Sequence, residues 1–316
     1  MLTTHKYEKR TPVYVPNVIP TYPDTHFWIN SQIKPSYINI KASDLKRDSI
    51  GDLNSIFPFP VILDYIMKDK KDESLYPPDI INDFFLFQPA LITNSDVPIY
   101  TDDSPLESQK KFEYFKEELS CLRVYIPLEK VIVLLPGRNK EENSACINFA
   151  LSLGYTKFGI ACADLLEREQ NAIARVRTML DLLKLYTNDI FLFGISSLSY
   201  FELFSDVRYI ISKGWHHKWK FKKKYSSNKC IKINVPKFDI LQKVFDDGKL
   251  KAMDQSDKST FRNIRRKVFC RNLIICMNKF DELKTQKTLG GKSCQKEEAS
   301  QELIFPESPM ATKYTH

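Results

Sequence analysis

The chain has 316 residues, 43% of them hydrophobic, with 47 Lys and Arg against 39 Asp and Glu, for a formal net charge of +8. Its length suits one large domain with an appendage, and its positive balance favours an anionic partner. Nine Gly without a Gly-rich phosphate loop or dinucleotide fingerprint argue against nucleotide hydrolysis and nicotinamide chemistry, and seven Cys without a C-x-x-C pair argue against a disulfide framework or a zinc site.

No stretch reaches the ~18 apolar residues of a membrane helix, and the start, MLTTHKYEKR, lacks the apolar core of a signal peptide. The expectation is a soluble cytoplasmic protein with no membrane contact, no cofactor and no metal.

Eight short apolar runs punctuate the first two-thirds of the chain: TPVYVP (11–16), YINIKAS (37–43), PVILDY (60–65), VPIYTDD (97–103), KVIVLLPG (130–137), KFGIACAD (157–164), IFLFGIS (190–196) and VRYIISKG (207–214). Short runs rich in Val, Ile, Phe and Tyr read as strands buried on both faces of a parallel sheet. Eight of them, mostly separated by helix-length segments, predict an α/β fold: a (β/α)8 TIM-like barrel with a C-terminal helical extension.

Between the second and third runs there is room only for a short helix, and the Asp- and Pro-rich segment 66–96 reads as irregular at first. ESQKKFEYFKEELSCL (107–122) reads as a helix with its aromatic and Leu residues on one side. KEENSACINFALSLG (140–154) gathers its apolar residues on one helical face, with Gly154 as a C-cap. In 164–189, Leu166, Ile173, Val176, Leu180, Leu183 and Leu185 recur near helical spacing.

Past the last run, 259–286 reads as a long helix whose apolar stripe runs from Phe261 to Phe280, and the polar tail from 287 reads as mobile. The expected organisation is a barrel core over 1–225, an extension with the long helix over 226–286, and the tail over 287–316.

In such barrels the chemistry sits where strands end. Asp64 ends the third run, Asp102 and Asp103 end the fourth, and Asp164 follows the sixth. Carboxylates converging there act as nucleophile, proton shuttle or base-recognition group, although an Asp after a strand also serves as a helix N-cap. Gly137 in PGRN either lets a ligand approach the backbone or makes an ordinary turn, and Gly194 in FGISS, followed by two hydroxyls, either binds phosphate or sugar or belongs to a cap.

KGWHHKWKFKKK (213–224) holds six Lys, two His and three aromatics without an acid. Lys213, Lys218, Lys220, Lys222, Lys223 and Lys224 suit phosphates, the aromatics Trp215, Trp219 and Phe221 suit stacking on bases, and His216 joins them as a nucleic-acid-binding residue. Joined by RNIRRK (262–267), this stretch forms a candidate nucleic-acid footprint, a solvated basic loop being the plainer alternative. His216 and His217 are adjacent, which suits a shared metal poorly.

In this order the motifs resemble those of the tRNA-guanine transglycosylase superfamily over about residues 11 to 282. TPVYVP is similar to its opening strand, ILDY to its early Asp-bearing strand end, YTDDS to its base-recognising Asp, VLLPGR to its Gln-Gly strand end, KFGIACAD to its Gly-Gly-Leu segment and CRNLIICMNKFDEL to its closing helix. Trp215, shortly after the last run, resembles the phage and bacterial branch that modifies DNA.

The resemblance implies exchange of guanine in DNA for a 7-deazaguanine base, in a phage or mobile-element setting and thus in host cytoplasm. RNA is the alternative substrate, and a protein partner or a homo-oligomer is an alternative association. It implies Asp64 as the proton-handling acid, Asp102 and Asp103 on the base edge, and Gly137, Gly159, Cys162 and Gly194 around the base.

The family's nucleophilic Asp belongs at the end of the eighth strand, where this chain has Ile211 and Ser212, so Asp206 is the substitute candidate. Gln is replaced by Pro136, and Tyr65-Ile66 stands in place of Ser-Gly. An inactive barrel that binds nucleic acid or an active paralogue is therefore the second expectation. An unrelated barrel enzyme using Asp64 and Asp102 on a small molecule is the third.

Overall fold

The computed structural model describes residues 13–18, 35–45, 52–66, 77–168, 171–195, 198–204, 206–212, 223–226 and 229–232. Eight parallel strands close on themselves in sequence order: β1 (Val13–Val18), β2 (Ile38–Lys41), β3 (Val61–Tyr65), β4 (Leu91–Ser95), β5 (Val131–Leu134), β6 (Phe158–Ala161), β7 (Ile190–Phe193) and β8 (Tyr209–Ser212). β8 pairs with β1 over four residues and completes the ring. Helices alternate with the strands: α1 (Leu53–Ile56), α2 (Pro77–Phe87), α3 (Pro105–Tyr125), α4 (Lys140–Ser152), α5 (Cys162–Arg168), α6 (Ala172–Leu183) and α7 (Leu198–Leu203). The (β/α)8 barrel expected from the eight apolar runs is the fold.

Alternation along the strands makes two apolar layers. One fills the barrel and includes Val15, Ile62, Leu91, Ile132, Leu134, Phe191, Phe193, Tyr209 and Ile211. The other joins strands to helices through residues such as Leu63, Val133, Ile160, Leu192, Leu119 and Val176. Inside the barrel the Phe191 and Tyr209 rings stack with centroids 4.3 Å apart and planes 11° from parallel. Gly159 makes room there, since a Cβ would come within 2.9 Å of Leu134 and Phe193.

The fourth strand corrects the sequence reading. It is LITNS, not VPIYTDD, and the segment 66–96, expected to be irregular at first, holds α2 and β4 in its later part. The polar residues that disguised LITNS have specific uses. The Tyr65 amide donates to Thr93 Oγ1 at 2.9 Å, and the Leu134 amide donates to Asn94 Oδ1 at 2.6 Å. Ile99 and Tyr100 are buried although they lie in the loop after β4, and Pro98 among them has no amide to give a ladder.

α3 begins at Pro105, two residues before the expected start, because Ser104 and Glu107 form a reciprocal capping box with Pro105 in the first turn. α4 is capped by Asn139, whose Oδ1 accepts from the Glu142 amide at 2.8 Å. The chain after it turns at Gly154, with φ of +96°. The segment 164–189 is two helices rather than one, α5 and α6.

Beyond the barrel, β9 (Lys223–Ser226) and β10 (Lys229–Lys232) form an antiparallel hairpin that straddles the boundary expected at 225. The long helix expected over 259–286 and the tail from 287 lie outside the described residues. No helix among the described residues is long and apolar enough to cross a membrane.

Candidate active site

Because all eight strands run the same way, their carboxyl ends share one mouth. Asp64 is the fourth of five residues of β3 and faces the barrel interior, between Ile62 and Ile66 of the inner layer. It is 1% exposed. Its carboxylate accepts from the side-chain amide of Asn39 on β2 and from the Ile66 amide at 3.2 Å. Asn39 is itself fully buried, and its Oδ1 has no hydrogen-bond partner among the described residues.

Lys41, directly across the ladder from Asp64, donates to the Ile66 carbonyl at 2.8 Å. Thr93 on β4 completes this polar sector. Asn39 and Lys41 escaped the sequence reading, although the alternation in INIK puts both on one face.

The corrected fourth strand also changes which acid stands at its tip. Asp96 follows β4 directly, and its amide donates to the Tyr65 carbonyl at 3.4 Å. It is half-buried. Burial pushes the Cys162 thiol well above its ordinary pKa, and the Asp96 charge adds to that rise.

Asp102 is exposed on a turn further along the loop. Asp103 accepts from the Tyr100 amide at 2.8 Å and from Lys111, while Arg138 reaches the Asp103 carbonyl at 3.3 Å. Its carboxylate is therefore a staple of the loop. The signal for Asp96 was present in LITNSD, a β-branched run ending on an acid.

The residues expected around a base have structural uses. The Gly137 carbonyl accepts from Asn143 and from Arg175, each at 2.9 Å. Gly159 is a packing position inside the barrel. The Cys162 thiol is fully buried in the outer layer and donates weakly to the Ile160 carbonyl at 3.6 Å. Gly194 has φ of +85°, and a Cβ there would lie 2.6 Å from that of Ala163, so the turn after β7 needs a glycine.

The structure separates Asp206 from Asp64. It precedes β8, at the amino end of the barrel, where both its oxygens lie 3.1 Å from Arg177 Nη1 and one also meets Lys184. Burial pulls its pKa up, but the hydrogen bond and charge of Lys184 and the charge of Arg177 outweigh that and hold it below the usual carboxylate range. As a substitute nucleophile it stands at the wrong end of the barrel. The tip of β8 carries Ile211 and Ser212, both buried.

Lys213, Trp215, His216, Lys218, Trp219, Lys220 and Lys222 lie outside the described residues, as does RNIRRK (262–267). Lys223 and Lys224 belong to β9, where they stand opposite Lys232 and Ile231.

One further acid lies just behind the mouth. Glu118 of α3 is 1% exposed and packs against the end of β4. It accepts from the Ser95 amide at 3.0 Å and the Ser95 hydroxyl at 2.6 Å, with the Asn94 amide at 3.4 Å. Burial pushes its pKa up to about 7 against the pull of those hydrogen bonds. No group of three or more His, Cys, Asp or Glu placed to hold a metal occurs among the described residues. No protein-family model matches the chain, and no curated protein matches it significantly.

Proposed function

We propose that the mouth is a glycosyl-transfer site that exchanges guanine in DNA for a 7-deazaguanine base. The observation that carries this reading is a pair of carboxylates, Asp64 and Asp96, on the ends of neighbouring strands β3 and β4. Their environments differ in the way a two-carboxylate reaction needs. Asp64 is buried and held by Asn39 and the Ile66 amide, whereas Asp96 is half-buried.

In this reading an Asp96 oxygen attacks the anomeric carbon of a flipped-out nucleotide as the bond to guanine N9 breaks. Asp64 gives its proton to the departing guanine and takes one back from N9 of the incoming base. That base then attacks the anomeric carbon and releases Asp96. The vacant acceptor of Asn39 suits an N–H of the base.

A second reading has its own observation. The transglycosylases this chain resembles carry their nucleophile at the end of the eighth strand, and β8 here ends on Ser212. A barrel without catalysis that binds nucleic acid or an active paralogue fits that tip.

Mass spectrometry of nucleosides from DNA incubated with the protein and 7-deazaguanine distinguishes the two. Base exchange predicts incorporation by the wild type, a loss of roughly a thousand-fold or more in Asp64→Ala and in Asp96→Ala, and retained incorporation in Asp206→Ala. Binding of DNA with no incorporation by the wild type overturns the first reading.

A further inference from the structure

A cavity of about 250 Å³ opens between α4 and α6 on the outer side of the mouth loops, lined by Arg138, Lys140, Asn143, Arg175, Thr178 and Met179 among others. Three of its lining residues are cations and none is an acid. Glu142 pairs with Arg138 at 2.9 Å from the flank, so three positive charges against one negative leave an excess of two.

The two guanidinium groups are held in place before any ligand arrives. Arg175 Nη2 lies 2.9 Å from the carbonyls of both Ile99 and Gly137, and Arg138 Nη1 reaches the Asp103 carbonyl at 3.3 Å. A fixed guanidinium loses little freedom when it grips an oxyanion. Lys140 is exposed and opens α4, where the helix dipole disfavours a positive charge. A residue that works against its own helix end is the kind of local conflict that marks a functional position. Asn143 adds a fully buried Oδ1 with no hydrogen-bond partner among the described residues, an acceptor for a sugar hydroxyl rather than for the phosphate.

We propose that this cavity binds a phosphate ester: the cations take the phosphate and the remaining space takes the sugar beside it. The volume lies below the roughly 300 Å³ at which drug-sized sites begin, so a phosphate and its sugar set the limit. Arg175 lines the cavity and also ties the loop after β4 to the loop after β5, so the occupant sits against the segments that frame the mouth. The site does not depend on base exchange, because phosphate binding is measurable whether or not the mouth is catalytic.

The test titrates inorganic phosphate, deoxyguanosine 5′-monophosphate and a single-stranded oligonucleotide into the full chain by calorimetry. Lys140→Ala should weaken phosphate and mononucleotide binding by about tenfold, the value of one charge-assisted hydrogen bond, and Lys140→Glu should weaken it further. Lys110→Ala, an exposed cation of α3 that does not line the cavity, should leave binding unchanged.

If the ester comes from a nucleic-acid backbone, the oligonucleotide binds more tightly than the mononucleotide, and Lys140→Ala lowers the salt slope by about one. If it comes from a free nucleotide, the two bind equally. No phosphate binding by the wild type, or equal losses in Lys140→Ala and Lys110→Ala, overturns the proposal.

Discussion

The inner wall of the barrel is divided. Around β2, β3 and β4 it presents Asn39, Lys41, Asp64 and Thr93 beside Ile62 and Leu91, whereas around β5 to β8 it presents Ile132, Leu134, Ala161, Phe191, Phe193, Tyr209 and Ile211. Lys41 apart, the residues of both sectors are buried, but they do different work. The apolar sector removes aromatic and aliphatic surface from water and supplies stability. The polar sector must satisfy each buried group with a partner, so it adds less to stability and holds charged groups in fixed places. The mouth has a polar side and a packed side.

Phe191→Ala tests that division most severely. Phe191 is buried and stacked on Tyr209. Its truncation should cost about 3–5 kcal/mol in urea unfolding, while Asp64→Asn, which keeps the shape of a polar residue, should cost no more than about 1–2 kcal/mol. Equal losses would erase the distinction between the sectors.

Glu118 gives the polar side a pH signature of defined sign. Its pKa rises from 4.5 to about 7 on folding. The folded chain therefore binds more protons between those values, and stability falls as pH rises through that window. The stability tied to this group is fully present below pH 4.5 and is lost above about 7, a change of roughly 3 kcal/mol. Glu118→Gln is neutral throughout, so its unfolding midpoint should match the wild type near pH 4.5 and exceed it at pH 8. A wild-type midpoint that climbs across the window would show that Glu118 is not buried in this way.

The smallest expected effect separates two neighbours on the β4 loop. Asp103→Ala removes the acceptor for Tyr100 and Lys111 and should cost about 1–2 kcal/mol. Asp102→Ala, at an exposed position, should stay within about 0.5 kcal/mol and leave base exchange intact. A large stability loss at Asp102 would move the staple to the wrong residue.

The barrel was legible because strands buried on both faces must be short and apolar, as VIVL, FGIA and IFLF are. β4 was not, because Thr93, Asn94 and Ser95 are polar residues whose hydrogen-bond partners come from Tyr65, Leu134 and Glu118. Those partners lie 23 to 40 residues away in sequence, beyond the reach of local pattern. VPIY attracted the strand assignment by composition, although its loop buries Ile99 and Tyr100 without joining the ladder.

The acid at the third strand end was readable from ILDY. Asp96 was hidden by the same six-residue shift that misplaced its strand. Asp206 was readable as an acid near the eighth strand, but its position before the strand rather than after it puts it with Arg177 and Lys184. The glycines singled out as ligand positions have structural uses that a local pattern does not show. Those uses are packing at Gly159 and a left-handed turn at Gly194.

The most direct measurement is peptide mapping of the protein quenched in acid during incubation with DNA and 7-deazaguanine. A glycosyl adduct on the peptide carrying Asp96, absent in Asp96→Ala, is the result predicted for chemistry at the β3–β4 side of the mouth. An adduct on a peptide from β5 to β8, or on the one carrying Asp206, would contradict it.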